Sequence, residues 1–179
     1  MVVRHLARYL EDAGIDYSII PHEPTYTAQQ TAHAIHEPGK HVAKAVVVRE
    51  GHLLSMVVLP ATAKIDFVRL RELLEARTVE LAEEREFEEL FPDCEIGAMP
   101  PFGNLYGMKV YVDASLMEDE FIVFNAGSHT DLIRMRYDDW EDLVEPEALD
   151  LIAVAHPDGG LLGQTGEEAF GLLHGEAGA

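Results

Sequence analysis

The side chains able to do chemistry in this chain are few: one lysine set in an apolar run, one cysteine, a handful of clustered histidines and two glycine-containing turns. Lys44 stands in the stretch HVAKAVVV, residues 41–48. In an extended strand successive side chains point to opposite faces, so Val42, Lys44, Val46 and Val48 share one side and Ala43, Ala45 and Val47 the other. Both sides are apolar apart from Lys44, and a strand coated on both faces belongs inside a sheet covered on both sides. Desolvating an ammonium is costly, so Lys44 needs something opposite it. Read from the strand alone, an acidic neighbour reached by snorkelling along the sheet would suit it.

Other constellations are weaker. His22, His33, His36 and His41 fall within a short span, and His33 and His36 could share a helix face. HAIHE is not the HExxH arrangement of zinc proteases, however, and no second cluster supplies ligands, so no metal is expected. Cys94 is the only cysteine; a nucleophile pair with His129 lacks a visible acidic partner to orient the imidazole. No GxGxxG follows a strand. Gly39-Lys40 is not a phosphate-binding loop, because the position that should hold the first glycine is Ala34 and the lysine is followed by His41.

A third constellation combines Lys44 with the loop GAMPPFG, residues 97–103, and with NAGSH, residues 125–129, at the end of a hydrophobic run. A loop with adjacent prolines is stiff, and its glycines leave backbone N–H groups open to approach. Strand ends and rigid loops are where ligand groups are mounted. The G-x-x-x-P core of Gly97 and Pro101, the A-K-A strand around Lys44, the Y-V-D of Tyr111 to Asp113 and the F-N-A-G of Phe124 to Gly127 together resemble the YbaK/ProX family. These are free-standing relatives of the editing domain of bacterial prolyl-tRNA synthetases. The resemblance runs in order from about His5 to Pro146.

That resemblance implies hydrolysis in trans of the ester in mischarged aminoacyl-tRNA, with no metal or organic cofactor. The partner it implies is the tRNA acceptor end, with an aminoacyl-tRNA synthetase as a further candidate. It puts Lys44 by the 3′-terminal adenosine and the N–H groups of the Gly97–Pro101 loop by the ester. Lys44, Gly97 and Pro101 are thus the candidates for catalysis, and Pro100, Phe102, Gly103, Asn125, Gly127, Ser128 and His129 for substrate binding. Either Ser128 or His129 fills the pocket-shaping place after the N-A-G turn. The fold implied is α+β: a strongly twisted, barrel-like mixed sheet with helices packed outside.

The elements that must position these groups are legible. Val3, Leu6, Ala7 and Leu10 have helical spacing and Gly14 stands where the helix would stop. Ile15, Tyr17 and Ile19 alternate as a strand. Thr27 and Gln30 have capping-box spacing for a helix ending near Pro38 and Gly39. The Lys44 strand and LLSMVVLP flank Gly51 as a hairpin. Asp66 can cap a helix carrying Phe67, Leu70, Leu73 and Leu74. VELA reads as strand and EEREFEELF as helix; KVYVDAS, EFIVFNAG and DLIRMRY read as strands, and DWEDL as a short helix. Hairpins and consecutive strands oppose a regular βαβ series. Residues 1–146 are expected to fold without the glycine-rich extension 147–179, read as partly flexible; the apolar LDLIAVA is its one counter-signal.

At 179 residues and 47% hydrophobic, the chain suits one compact domain. The absence of a long apolar run and of a signal-peptide pattern points to the cytoplasm and away from a membrane. The formal net charge of −20, from 33 acidic and 13 basic residues, opposes binding a polyanion. It favours a rival reading, a non-catalytic module holding an amino acid, a nucleotide or a partner protein in the same pocket. Only charges within a Debye length of about 8 Å matter strongly at physiological salt. Arg4, Arg8, Lys40, Lys44 and Lys64 are the basic residues that could gather at the mouth.

Overall fold

In the computed structural model, residues 3–24 and 41–152 are described. The Thr27–Gln30 capping box, His33, His36, Lys40 and residues 153–179 lie outside the described residues. Helix α1 (Arg4–Asp12) buries Leu6 and Leu10, one turn apart, and ends at Gly14 with φ +69°. Strand β1 (Tyr17–Pro21) follows. The Lys44 strand is β2 (Ala43–Glu50), turned back at Gly51 (φ +60°) into β3 (Leu53–Pro60) in the expected hairpin. Helix α2 (Phe67–Leu73) starts at Asp66, whose carboxylate accepts the Val68 and Arg69 N–H groups at 3.1 and 3.0 Å. Such a cap is worth about 1 kcal/mol.

Strand β4 (Val79–Leu81) leads to α3 (Glu84–Phe87), which continues only as a 3-10 turn, Glu88–Leu90. Then come β5 (Lys109–Asp113), β6 (Phe121–Ser128), β7 (Asp131–Arg136), helix α4 (Tyr137–Val144) and β8 (Glu147–Leu149). The chain is mixed α+β, as expected. The described strands form two sheets rather than one, and neither closes into a barrel: β1-β7-β6 is antiparallel, and β4-β2-β3-β5-β8 is mixed, with β5 parallel to β3 and to β8. One parallel bridge, Val42 to Val123, joins them.

The main core lies between the sheets, where Ala43, Val47, Met56 and Val58 meet Ile122, Phe124 and Ile133 beside Leu6 and Leu10. On the other side of the five-stranded sheet Val48, Val57 and Leu59 pack against Leu70 and Leu151. Both faces of β2 are therefore covered, as its composition requires.

The expected boundary after residue 146 cuts through packed structure. Strand β8 pairs with β5, Leu151 is fully buried, and Ile152 bridges Ile65. The anchor is Asp113, itself buried: one carboxylate oxygen accepts the Leu151 N–H at 2.9 Å, and the other accepts the N–H and hydroxyl of Ser115. Three residues of strand following a proline give little periodic signal, and the pairing that fixes them lies more than thirty residues away in sequence. Among the described residues no helix is long and apolar enough to cross a membrane.

Candidate active site

The loop and the N-A-G turn come together at the end of β6. Glu95 N–H donates to the Gly127 carbonyl at 2.9 Å, and Gly127 N–H donates to the Ala98 carbonyl at 3.0 Å. The Glu95 carboxylate accepts the His129 N–H at 2.7 Å, and the His129 ring reaches the Ile96 carbonyl at 3.0 Å. Gly127 sits at φ +94°, where a β-carbon would collide with the Val3 side chain. Gly97, exposed at φ +85°, faces the imidazole: a β-carbon there would lie 3.6 Å from His129 Cε1. Glycine at both positions thus allows a backbone geometry that a side chain would strain.

The loop's N–H groups are not equivalent. That of Ala98 is closed onto the Glu95 carbonyl and that of Phe102 onto the Pro100 carbonyl. The Gly97 N–H points at the Met99 sulfur, 3.2 Å away, a weak acceptor. Ser128 and His129 also differ. Ser128 is buried and its hydroxyl donates to Asp131 at 2.9 Å, inside the β6–β7 turn, whereas the half-buried His129 ring faces the loop. Asn125 is half-buried, and among the described residues its side-chain oxygen has no hydrogen-bond partner.

Pro100, Pro101, Phe102 and Gly103 are buried. The Pro101 carbonyl accepts the Trp140 indole N–H at 3.0 Å, and Phe102 packs edge-on to Phe124. A β-carbon on Gly103 would lie 2.9 Å from Val110 and 3.0 Å from Met56. These residues root the loop in the core and present no surface to a ligand.

Lys44 is half-buried and held by neutral groups: its ammonium donates to the Ala63 carbonyl at 2.5 Å and to the Ala61 carbonyl at 3.3 Å. Among the described residues no carboxylate pairs with it. Carbonyls orient an ammonium without cancelling its charge, and one of its three N–H donors remains. Burial, and then the nearby charge of Lys64, lower its pKa from the ordinary lysine value. By strand alternation Lys44 shares a side with Val46 and Val48, opposite the Ala43 side that packs in the core with Met99 and Phe102. Lys44 and the loop are therefore not in direct contact; the Val42–Val123 bridge links their strands.

Cys94 lies 3.8 Å from the Tyr106 hydroxyl, and burial raises its thiol pKa, the reverse of what a nucleophile paired with His129 requires. Among the described residues no three potential metal ligands cluster. Arg8 is taken by Asp12 at 3.7 Å, both exposed. Sequence reasoning did not single out Glu95, the clamp of the loop, or Arg134, a half-buried cation on β7. The signal for Arg134 was present: a charge inside the alternating run DLIRMR, as for Lys44.

The sequence pattern of the aminoacyl-tRNA editing domain matches residues 22–143. The chain belongs to that family. Within it, the chain is 23% identical over 142 residues to the prolyl-tRNA editing protein ProX of Acetoanaerobium sticklandii, covering 76% of this chain and 86% of that protein. A solved structure described as a candidate trans-editing enzyme for prolyl-tRNA synthetase superposes with a TM-score of 0.74 at 20% identity, covering 84% of this chain and 96% of that one. A further solved protein of undefined function gives 0.75 at 18% identity over 83% and 99% of the two chains. These two likenesses show a fold shared over most of the chain.

Proposed function

We propose that this editing domain hydrolyses mischarged aminoacyl-tRNA in trans, at the ester joining the amino acid to the terminal ribose. The observation that carries the reading, beside the family itself, is the docked loop: a glycine whose N–H is held only by a thioether, in a loop set against a histidine and the end of β6. An oxyanion is a far stronger acceptor than a sulfur, so the Gly97 N–H would turn to the ester oxygen as water adds to the carbonyl. A donor preorganised in this way is worth roughly 3 to 4 kcal/mol in favourable cases. Collapse of the adduct breaks the ester C–O bond, leaving a free amino acid and a terminal hydroxyl.

The other roles follow from placement. The Asn125 side-chain oxygen is buried with no partner among the described residues, a costly orphan that a substrate donor, either the α-ammonium or a ribose hydroxyl, would satisfy once the side chain turns to it. His129, rather than Ser128, walls the amino-acid side of the loop, because the Ser128 hydroxyl is committed to Asp131. Lys44 keeps its positive charge for a phosphate of the terminal nucleotide. Pro101 acts through the loop it anchors. The working unit is residues 1–152, and docking on a synthetase is an open extension of the same proposal. The rival non-catalytic module rests on net charge alone. Single-turnover hydrolysis across a panel of mischarged tRNAs separates them: release of one amino acid well above the spontaneous rate supports the enzyme, and uniform background rates across the panel reject it.

A further inference from the structure

Below the opposite end of β6 lies a second feature, a cleft of about 260 Å³ lined by His41, Asp119, Glu120, Phe121, Val123 and Arg134. Each of its acids has a basic neighbour. Asp119 faces His41 at 3.6 Å, and Glu120 pairs with Arg136 at 3.3 Å. Arg134 is the remaining charge. Its guanidinium lies over the Phe121 ring at 3.5 Å, and among the described residues no carboxylate reaches it. Arg4, Arg71, Arg77 and Lys64 also lack an acidic partner among the described residues, but all four are exposed. Among the described residues Lys44 and Arg134 are the half-buried cations with no acidic partner.

Their positions are related. Arg134 is the cross-strand partner of Val123, and Val123 bridges Val42, two residues before Lys44. Val42, Ala61, Val123 and Leu132 form a small buried cluster between them, and Ala61 supplies one of the carbonyls that hold Lys44. The ring of Phe121 covers one flat side of the Arg134 guanidinium and fixes its plane. Among the described residues no hydrogen-bond partner takes its in-plane N–H groups, a fork that suits two oxygens of one phosphate.

We propose that Arg134 binds a backbone phosphodiester of the acceptor strand, upstream of the nucleotide held by Lys44. The inference rests on the deacylase reading. It gives the strand a direction: the ester at the Asn125–Ser128 end of β6, the preceding nucleotides toward Phe121. It also reconciles the acidic chain with a polyanion, since the cations that face the strand are ones that no carboxylate of the described residues neutralises.

The test measures anisotropy of a labelled single-stranded RNA carrying the last nucleotides of the acceptor strand, over a range of KCl, for wild type, Arg134→Gln and Arg134→Lys. Loss of one charged contact should weaken binding about tenfold or more in Arg134→Gln. The slope of log affinity against log salt should become shallower by about 0.7, one phosphate on a single strand. Arg134→Lys should keep the slope and recover part of the affinity. In single-turnover hydrolysis, the ratio of efficiency on aminoacyl-tRNA to that on aminoacyl-adenosine, which lacks the upstream phosphate, should fall by a similar factor in Arg134→Gln. An unchanged salt slope, or RNA affinity equal to wild type, overturns the proposal, as does loss of affinity in Arg134→Lys equal to that in Arg134→Gln. If inorganic phosphate at millimolar concentration competes equally well before and after the substitution, the site is not Arg134. Should wild type hydrolyse neither substrate, the deacylase reading falls while the RNA-binding arm still decides this one.

Discussion

The two ends of β6 solve different problems. At Asn125–Ser128 the chain is fixed by backbone hydrogen bonds to the loop, by glycines that admit no side chain and by a core that swallows Pro100 to Gly103. At Phe121–Val123 it opens into a cleft of paired and unpaired charges on longer side chains. Stabilising a developing oxyanion demands donors already in place, whereas holding a phosphate demands charge and tolerates movement. Damage at the first end should lower the rate of the chemical step, and damage at the second should lower affinity and its salt dependence.

The strongest way to break the contrast is Gly127→Ala. Its added carbon meets Val3, its φ of +94° is hostile to alanine, and its N–H is one of the loop's tethers. Loosening a donor by an ångström is enough to cost about a hundredfold in rate, so single-turnover deacylation should fall at least that far. Affinity for acceptor RNA should change much less. A loss of RNA affinity matching the loss of rate would mean that the two ends are not separable.

Truncation separates both ends from the rest of the fold. Ending the chain after residue 146 removes the fully buried Leu151 and deprives Asp113 of one of its donors. Burial of a leucine alone is worth about 1.5 to 3 kcal/mol, so a clear drop in melting temperature is expected.

A smaller effect comes from pH. Because burial and Lys64 lower the Lys44 pKa, its charge is lost at a lower pH than that of an ordinary lysine. Binding of acceptor RNA should weaken as pH rises through that depressed value, and Lys44→Ala should abolish this phase. The sign for stability is the opposite: the unfolded chain holds the Lys44 proton more tightly, so this group favours the folded state more as pH rises toward 10.5. The smallest effect is at Cys94, where Cys94→Ser should keep activity within about twofold, as for a site outside the machinery. Alkylation of its raised thiol by iodoacetamide should be slower than that of a free cysteine.

Much of this was legible before any coordinates, wherever the signal was local. The Gly51 hairpin, the Asp66 cap and the strand carrying Lys44 follow from alternation and turn chemistry within a few residues. Lys44 was visible as a misfit, but its partners, the Ala61 and Ala63 carbonyls, are supplied by the far side of a hairpin and have no sequence signature. The motif around Phe102 and Gly103 suggested a ligand surface, yet aromatic and small residues in a loop serve equally well to root it, and here they do. Asp113 looked like part of a motif and its carboxylate clamps Leu151, just after β8, a role that exists only once distant strands pair. The division of the sheet in two was hidden for the same reason: one bridge, not a periodic pattern, joins the halves.

The most direct test is Lys44→Ala, assayed on one sample for single-turnover deacylation of a mischarged tRNA and for thermal melting. Lys44 gives up hydrogen bonds to two neutral carbonyls and strands no carboxylate of the described residues, so stability should fall by only about 1 kcal/mol. Deacylation should fall by roughly ten- to a thousandfold, the loss expected for a misplaced ester and a missing charged contact. Lys44→Arg should restore part of it, since a planar fork replaces a compact ammonium. A large drop in melting temperature with near-normal activity per folded molecule would contradict the assignment of Lys44 to the substrate and return it to the scaffold.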